Sequence, residues 1–201
     1  MEVNGFKIEP NANLRNTDLS GVDLSGVDLS GACLKHTNLE GANLHHAILT
    51  NTDLQGADFS NAILDFADLS GSKGLNLKQS PKFTNFLNAS MQYANLGMSS
   101  FRHAHFENTD LLGANFEGSS FFDAEFVNVN LKGANMYGAS FIGTKFDCSN
   151  LQHANLAGTN LIYSDFSNSD LTGAMLTSAH VTFVRFGNAK IAGAIFSNGI
   201  A

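Results

Sequence analysis

A large apolar residue returns at every fifth position from residue 86 to residue 196, and phenylalanine returns at every twentieth position. The phenylalanine series is Phe86, Phe106, Phe126, Phe146, Phe166 and Phe186. Ala, Ser, Thr or Val occupies the position two before each of these apolar centres. An α-helix turns about 100° per residue, so this period would spread the apolar side chains around all of its sides. The period therefore excludes an ordinary amphipathic helix.

Each five-residue unit instead fits one short extended segment followed by a turn. The centre and the small residue two before it point inward with one outward residue between them, as side chains alternate in a strand. Most of the 19 glycines stand two positions after a centre, where a turn can require positive φ. If four units complete a coil, residues 20 apart stack about 4.8 Å apart. This predicts an internal phenylalanine column, an outer charge column from His105 to Arg185 and an amide column from Asn95 to Asn155.

Several units have the sequence of a known repeat. Thr-Asp-Leu-Ser-Gly stands at 17–21, Val-Asp-Leu-Ser-Gly at 22–26 and 27–31, and Ala-Asp-Leu-Ser-Gly at 67–71. In these units the chain resembles the pentapeptide-repeat family. The resemblance implies an all-β fold, a right-handed quadrilateral parallel β-helix with four five-residue repeats per coil. At this period, the repeat residues would build a solenoid of about nine coils. The family serves as scaffold and binding surface in many unrelated roles, so the resemblance specifies the fold more than the function.

The repeats divide one continuous solenoid domain into four parts. Residues 1–11 lie outside the repeat, and the alternation of Val3, Phe6 and Ile8 predicts a short strand that caps the first coil. Residues 12–71 form the first repeat run, residues 72–83 a loop or bulge, and residues 84–198 the second run. The phase breaks in the loop, and its residues either replace several units or are inserted whole. The facing of one run relative to the other is therefore left open.

Few residues offer catalytic or metal-binding chemistry. His36 and His46 lie two units apart, on opposite sides of the predicted coil, so they cannot share a metal ion. His103 and His105 come close to Glu125, but solvated surface histidines are the favoured interpretation. No serine has a histidine base beside it in a catalytic pattern, and the glycines follow the turns without forming a phosphate-binding motif. The sequence predicts a non-enzymatic protein with no metal and no cofactor.

One predicted wall carries an outward apolar stripe, which is unusual on a solvent-exposed rod. Its members are Phe122, Ile142, Ile162, Tyr163 and Phe183. Apolar residues gathered in an outer column indicate a protein partner or self-association. In the alternative interpretation, these corner residues only cover one another.

The second candidate surface is acidic. Residues 12–71 hold eight acidic residues against Arg15 and Lys35, in a chain of net charge −7. The candidate acids, which directly precede centres, are Asp18, Asp23, Asp28, Asp53, Asp58 and Asp68. Resemblance to the quinolone-resistance branch of the family would imply a DNA mimic that binds the duplex groove of DNA gyrase, a type II topoisomerase. A 40 Å duplex carries on the order of 24 phosphate charges, and these acids are expected on all four walls, so this function is the alternative.

The remaining features concern location and assembly. Cys33 and Cys148 lie more than five coils apart, roughly 25 Å, so we expect free thiols and a reducing compartment. The sequence has no apolar run of 18 residues. We therefore expect a bacterial, cytoplasmic protein that binds a protein partner of unknown identity and neither nucleic acid nor membrane directly. The second run ends at Asn198, and an uncovered last coil would favour end-to-end homodimers.

Overall fold

The computed structural model describes residues 1–74 and 82–196 as an all-β solenoid held by isolated parallel bridges. The named strands are β1 (Glu2–Val3), β2 (Phe6–Lys7), β3 (Met175–Leu176) and β4 (Ile195–Phe196). β1 pairs antiparallel with β2, and β3 pairs parallel with β4. Within the described ranges, no helix has the length and hydropathy to cross a bilayer.

The parallel bridges form four ladders that the chain visits in order. Ladder 1 starts at Asn13, ladder 2 at Asp18, ladder 3 at Asp23 and ladder 4 at Asp28. Within each repeat run a bridged residue pairs with the residue 20 positions further on, as Asp18 does with Asn38. Four five-residue units therefore separate the partners. The two residues after each apolar centre turn the chain, and we name these turns 1 to 4 after the ladder they follow.

The phase break between the two runs is an insertion within a single coil. Asp58 pairs with Asn85, 27 residues further on, and the same offset continues through ladders 3 and 4. The insertion therefore adds seven residues to one coil, and each of the four ladders continues across it in the same order. Ser72 is buried and Lys73 bridges both neighbouring coils, so ladder 1 extends into the predicted loop, which begins at residue 72. Residues 75–81 of that loop lie outside the described residues.

The core contains the predicted phenylalanine column behind ladder 2. Neighbouring rings from Phe86 to Phe186 stack with centroids 4.5–5.7 Å apart, which confirms the column. Phe59 continues it across the insertion, 5.1 Å from Phe86. A second column, Phe101, Phe121 and Phe141, meets the first mainly edge to face, an arrangement that aromatic pairs favour.

The small inward position accepts Ser and Thr because the backbone satisfies their hydroxyl groups. Thr17 Oγ1 donates to the Leu14 carbonyl at 2.6 Å, and Thr52 Oγ1 donates to the Leu49 carbonyl at 2.7 Å. In the part of the chain that the structure describes, every buried side-chain nitrogen or oxygen has a hydrogen-bond partner. A buried hydroxyl in this position therefore avoids the cost of an unmet hydrogen bond.

The second residue of each turn adopts the left-handed conformation, with φ between 53° and 70°. Glycine fills many of these positions, as predicted, and asparagine fills many others, since both tolerate positive φ. Asparagines in turn 2 also bind one another between coils, as Asn108 does with Asn88 at 3.1 Å. The predicted outer amide column exists as well: from Asn95 to Asn155 each Nδ2 donates to the Oδ1 one coil below, at 3.0–3.1 Å.

The first residues form a hairpin where the alternation predicts a single strand. Asn4 and Gly5 turn the chain with positive φ, and Ile8 donates its backbone N–H to the Met1 carbonyl at 2.9 Å. Ile8 is buried and Val3 packs against the core, whereas Phe6 is exposed. An Asn-Gly pair is the strongest short-range hairpin signal, and it accounts for the difference.

Replacing Phe126 by Ala should lower the free energy of unfolding by about 3–5 kcal/mol, because it opens a cavity in a fully buried aromatic column. Phe183 is 68% exposed, so Phe183→Ala should change stability by less than about 0.5 kcal/mol. Urea unfolding followed by far-UV circular dichroism measures both. Equal losses for the two variants would contradict the assignment of the column to the core.

Candidate partner-binding surfaces

The predicted apolar stripe lies in turn 1 and has two parts. Phe122, Ile142 and Ile162 are half-buried, and the Arg102 guanidinium lies 4.3 Å from the centroid of the Phe122 ring. Tyr163 and Phe183 are 63% and 68% exposed, and their rings stack with centroids 5.1 Å apart. The first three residues are thus partly shielded. The last two offer aromatic surface directly to solvent.

Towards the N-terminus, the same column of turn 1 is basic. Arg15 and Lys35 occupy the first position of the turn, where Phe122 stands later in the chain. Lys82 lies near the same corner, since its carbonyl oxygen would be 3.3 Å from a Cβ on Gly56, and Arg102 holds the first position of turn 1 in the following coil. One corner of the rod therefore changes from cationic to apolar along its length. The insertion hides this continuity in the sequence.

The six candidate acids lie on all four ladders. Asp18 and Asp58 belong to ladder 2, Asp23 to ladder 3, and Asp28 and Asp68 to ladder 4. Asp53 lies on ladder 1, where its carboxylate binds Lys35 Nζ at 2.9 Å.

The acidic residues of the first run are nevertheless unevenly distributed. Seven of its eight acids lie on ladders 2, 3 and 4 or in the turns that follow them, whereas Arg15, Lys35 and Lys73 all belong to ladder 1 or turn 1. In residues 12–74, three sides of the rod are therefore acidic without a compensating Lys or Arg. The fourth side carries the cations.

The first three acids are also held in the charged form. The serine two residues after each of them donates its backbone N–H to the carboxylate at 2.9–3.1 Å. The hydroxyl and backbone N–H of this serine lower the pKa of Asp18, Asp23 and Asp28. Hydrogen bonds to the charged form favour it, so these carboxylates are ionised at neutral pH.

The histidines near Glu125 contact carboxylates and aromatic rings. His105 Nδ1 lies 3.1 Å from one Glu125 oxygen, and Lys145 Nζ lies 2.8 Å from the other. The hydrogen bond from Lys145 and its charge lower the pKa of the Glu125 carboxyl. Among the described residues, no group of three or more His, Cys, Asp or Glu is arranged to hold a metal ion.

A groove of about 590 Å³ lies on the outside of ladder 2, beside the chain where it returns from the insertion. Asp58 and His105 line it on the ladder, and Phe83 also lines it, with its ring 5.0 Å from the ring of His103. The described lining has carboxylate, imidazole and ammonium groups but no serine or cysteine nucleophile. Cys33, half-buried, and Cys148, exposed, are free thiols elsewhere on the rod.

One aromatic surface does not follow from the five-residue pattern of the sequence. In turn 3, the rings of His46 and Phe66 stack at 5.1 Å, and those of Phe66 and Tyr93 stack at 5.2 Å. Phe66 and Tyr93 are 48% and 51% exposed. Their separation is 27 residues because the insertion lies between them, so a search at intervals of 20 does not connect them. Only the ladder register places one above the other.

Towards the C-terminus, the core becomes accessible. Phe166 and Leu171 are fully buried, whereas Ile191 is 49% and Phe196 is 38% exposed, although both are apolar centres. Ile195, on ladder 4, is 53% exposed. Residues 197–201, where the second run was predicted to end, lie outside the described residues.

Comparison with protein families identifies the repeat. A model of pentapeptide repeats matches residues 11–41, 37–73 and 99–136, with eight copies. A model of a pentapeptide repeat region matches residues 119–196. A search of curated proteins finds no match.

Among solved structures, the chain is similar to HetL, a pentapeptide repeat protein involved in heterocyst differentiation regulation in the cyanobacterium Nostoc sp. strain PCC 7120. The match has 27% identity and a TM-score of 0.34 and covers 95% of this chain and 90% of that one. Full-length QnrB1, a plasmid-mediated fluoroquinolone resistance protein, matches with 21% identity, 94% and 86% coverage and a TM-score of 0.39. A pentapeptide repeat protein from the Arabidopsis thaliana thylakoid lumen matches with 28% identity, 65% coverage of both chains and a TM-score of 0.29.

The five-residue period, the parallel ladders and the family models agree. The first of these models alone matches half of the residues. The chain belongs to the pentapeptide-repeat family.

Proposed function

We propose that this protein is a non-enzymatic scaffold whose rigid surface binds a partner protein at Tyr163 and Phe183. The observation that supports the proposal is the exposure of these two stacked rings at the end of the turn 1 stripe. Exposed aromatic side chains with little conformational freedom are typical anchors of protein interfaces. Phe122, Ile142 and Ile162 would border the contact as partly shielded apolar surface.

The handedness of the solenoid, its number of coils and the cellular location of the protein are part of this proposal. It takes the solenoid to be a right-handed quadrilateral helix of about nine coils, so that successive members of a column lie at a fixed spacing. It places the protein in the cytoplasm, since free thiols at Cys33 and Cys148 suit a reducing compartment.

Replacing Tyr163 and Phe183 together by Asn should weaken partner binding at least tenfold, because the contact loses two aromatic anchors. Asparagine stands at many other left-handed turn positions, so the variant should keep its fold. Partners captured by the wild type are purified, and their dissociation constants are measured by titration calorimetry at about 50 and about 300 mM salt. An apolar contact should be nearly insensitive to this change.

The matched control is Tyr137→Asn, which removes an aromatic side chain that is 53% exposed on turn 4. It should leave binding unchanged. A partner that binds the Tyr163/Phe183 variant as tightly as the wild type would remove this surface from the proposal.

We also propose end-to-end homodimers through the C-terminal coil. The exposed centres Ile191 and Phe196 support this, because a second copy of the chain would cover these apolar side chains. Ile191→Asp should convert a dimer to a monomer, since a carboxylate in this contact would be desolvated. Light scattering measures the molar mass, with Ile63→Asp, another exposed isoleucine, as the control. A wild-type monomer at high concentration would contradict the proposal.

The alternative function is binding of a type II topoisomerase, DNA gyrase, through the acidic surface. The uneven distribution of charge supports it, because ladders 2 to 4 carry acids without Lys or Arg in residues 12–74. Asp18, Asp23 and Asp28 add carboxylates whose lowered pKa keeps them ionised. An electrostatic footprint of this kind steers a basic groove without matching every phosphate of a duplex.

In this alternative, the wild type should inhibit gyrase supercoiling less as salt rises. Changing Asp18, Asp23, Asp28 and Asp68 to Asn should abolish the inhibition, because each Asn keeps the hydrogen-bond acceptor and removes the charge. Asp53→Asn is the control. Asp53 lies on ladder 1, the side that carries the cations, and Lys35 already neutralises its charge. No inhibition at large molar excess would exclude this function.

A further inference from the structure

Turn 3 carries an aromatic ridge in the N-terminal half of the rod. The stacked rings of His46, Phe66 and Tyr93 form its crest, and the His45 ring meets His46 edge to face at 4.3 Å. Ile63 on ladder 3 and Ile48 on ladder 4 flank the crest and are 44% and 41% exposed. We name these six residues the aromatic ridge. It runs through three successive coils.

The fold does not require large side chains at the crest. His46, Phe66 and Tyr93 hold φ angles of 57°, 59° and 57°, a conformation that costs an ordinary L-residue roughly 1–2 kcal/mol. Gly26 and Gly113 hold the equivalent turn position in the coils below and above the crest without that cost. The crest residues are exposed and contribute nothing to the buried core. Strain held at an exposed position is a reason to look for a function there.

The shape of the ridge determines how it can be contacted. Because the rings stack face to face along the rod, their faces are largely covered and their edges point outward. A Cβ atom on Gly113 would lie 2.6 Å from the Tyr93 ring, so glycine makes room for this ring at the upper end. At the lower end, nothing lies within 4 Å of a Cβ on Gly26. The surface is thus a short projecting ridge, which fits an apolar groove or face of a partner.

The charge beside the ridge is negative. Asp65 directly precedes Phe66, and Asp68 follows on ladder 4. Gln92, which directly precedes Tyr93, donates its Nε2–H to the carboxylate of Asp110 at 2.7 Å. Asp110 is therefore held close to Tyr93. Among the described residues, the first Lys or Arg on ladders 3 and 4 or their turns is Lys132. These carboxylates would repel phosphate groups and attract cationic side chains.

We propose that the aromatic ridge binds a basic amphipathic segment of a partner protein, in which an apolar face is flanked by Arg or Lys. The apolar face would cover the ring edges and the two isoleucines, and the cations would meet Asp65, Asp68 and Asp110. Turn 3 lies two ladders from turn 1, so this site is separate from the Tyr163 and Phe183 surface. The two sites can be removed independently.

The test uses the full chain and three synthetic peptides of about 18 residues. One has leucines on one helical face and arginines on its flanks, the second has glutamate in place of arginine, and the third has the first composition in scrambled order. Fluorescence anisotropy measures binding of each labelled peptide. We expect the arginine amphipathic peptide to bind at least tenfold more tightly than the other two.

The variant Phe66→Asn/Tyr93→Asn should weaken binding of that peptide at least tenfold, because the ring edges are lost while the charge is unchanged. Asparagine occupies the same left-handed turn position at Asn51, Asn61 and Asn88, so the fold should be kept and is checked by its melting temperature. Asp65→Asn/Asp68→Asn should weaken binding several-fold and reduce its salt dependence. The control Tyr163→Asn/Phe183→Asn should bind as the wild type does.

Three results would overturn the proposal. Equal binding of the arginine peptide by the wild type and the Phe66→Asn/Tyr93→Asn variant would show that the rings do not take part. Equal binding of the scrambled peptide would show attraction by charge alone. A fall in the molar mass of the chain itself on changing Phe66 and Tyr93, without peptide, would assign the ridge to self-association instead.

Discussion

The structure depends on parallel backbone hydrogen bonds that place each residue directly above the one a full coil earlier. At the described centres from Leu14 to Leu171 the N–H donates to a carbonyl in the next coil, as Leu19 does to Asn38 at 2.8 Å. Each side chain therefore stacks on its counterpart, and a preference of one position is repeated along the rod. Stacked phenylalanines and hydrogen-bonded asparagines both result from this register. A shift by one residue would exchange inward and outward positions, so the packed core and the ladders specify each other.

This arrangement also explains why the insertion leaves the fold intact. Asn85 resumes ladder 2 above Asp58, and Phe86 stacks on Phe59, so both the hydrogen bonds and the aromatic column continue. Surface loops are thermodynamically inexpensive to lengthen when their ends remain in place. The seven extra residues therefore interrupt the sequence pattern without interrupting the core.

Because the core is built entirely from inward positions, the outward and turn positions are free to differ between coils. Some outer columns support the fold, such as the amides from Asn95 to Asn155. Others place large aromatic rings in exposed, left-handed turn positions, where glycine would fit with less strain. The aromatic pairs at Tyr163–Phe183 and Phe66–Tyr93 lie in turns 1 and 3, and they differ in the charge around them. This combination is the basis for our proposal that the rod binds two different partners.

The sequence by itself determined the unit, the inward positions, the turn glycines and the aromatic, amide and charge columns, because each of these repeats within one uninterrupted run. It did not determine how the two runs align. The five-residue period does not show which unit of the second run stacks on which unit of the first when an insertion separates them. Only backbone pairing placed Tyr93 above Phe66 and Asn85 above Asp58. Side-chain exposure was likewise decided in three dimensions. Phe122 and Phe183 are both outward aromatic residues of turn 1, but Arg102 lies over the first ring, and the second remains open to solvent.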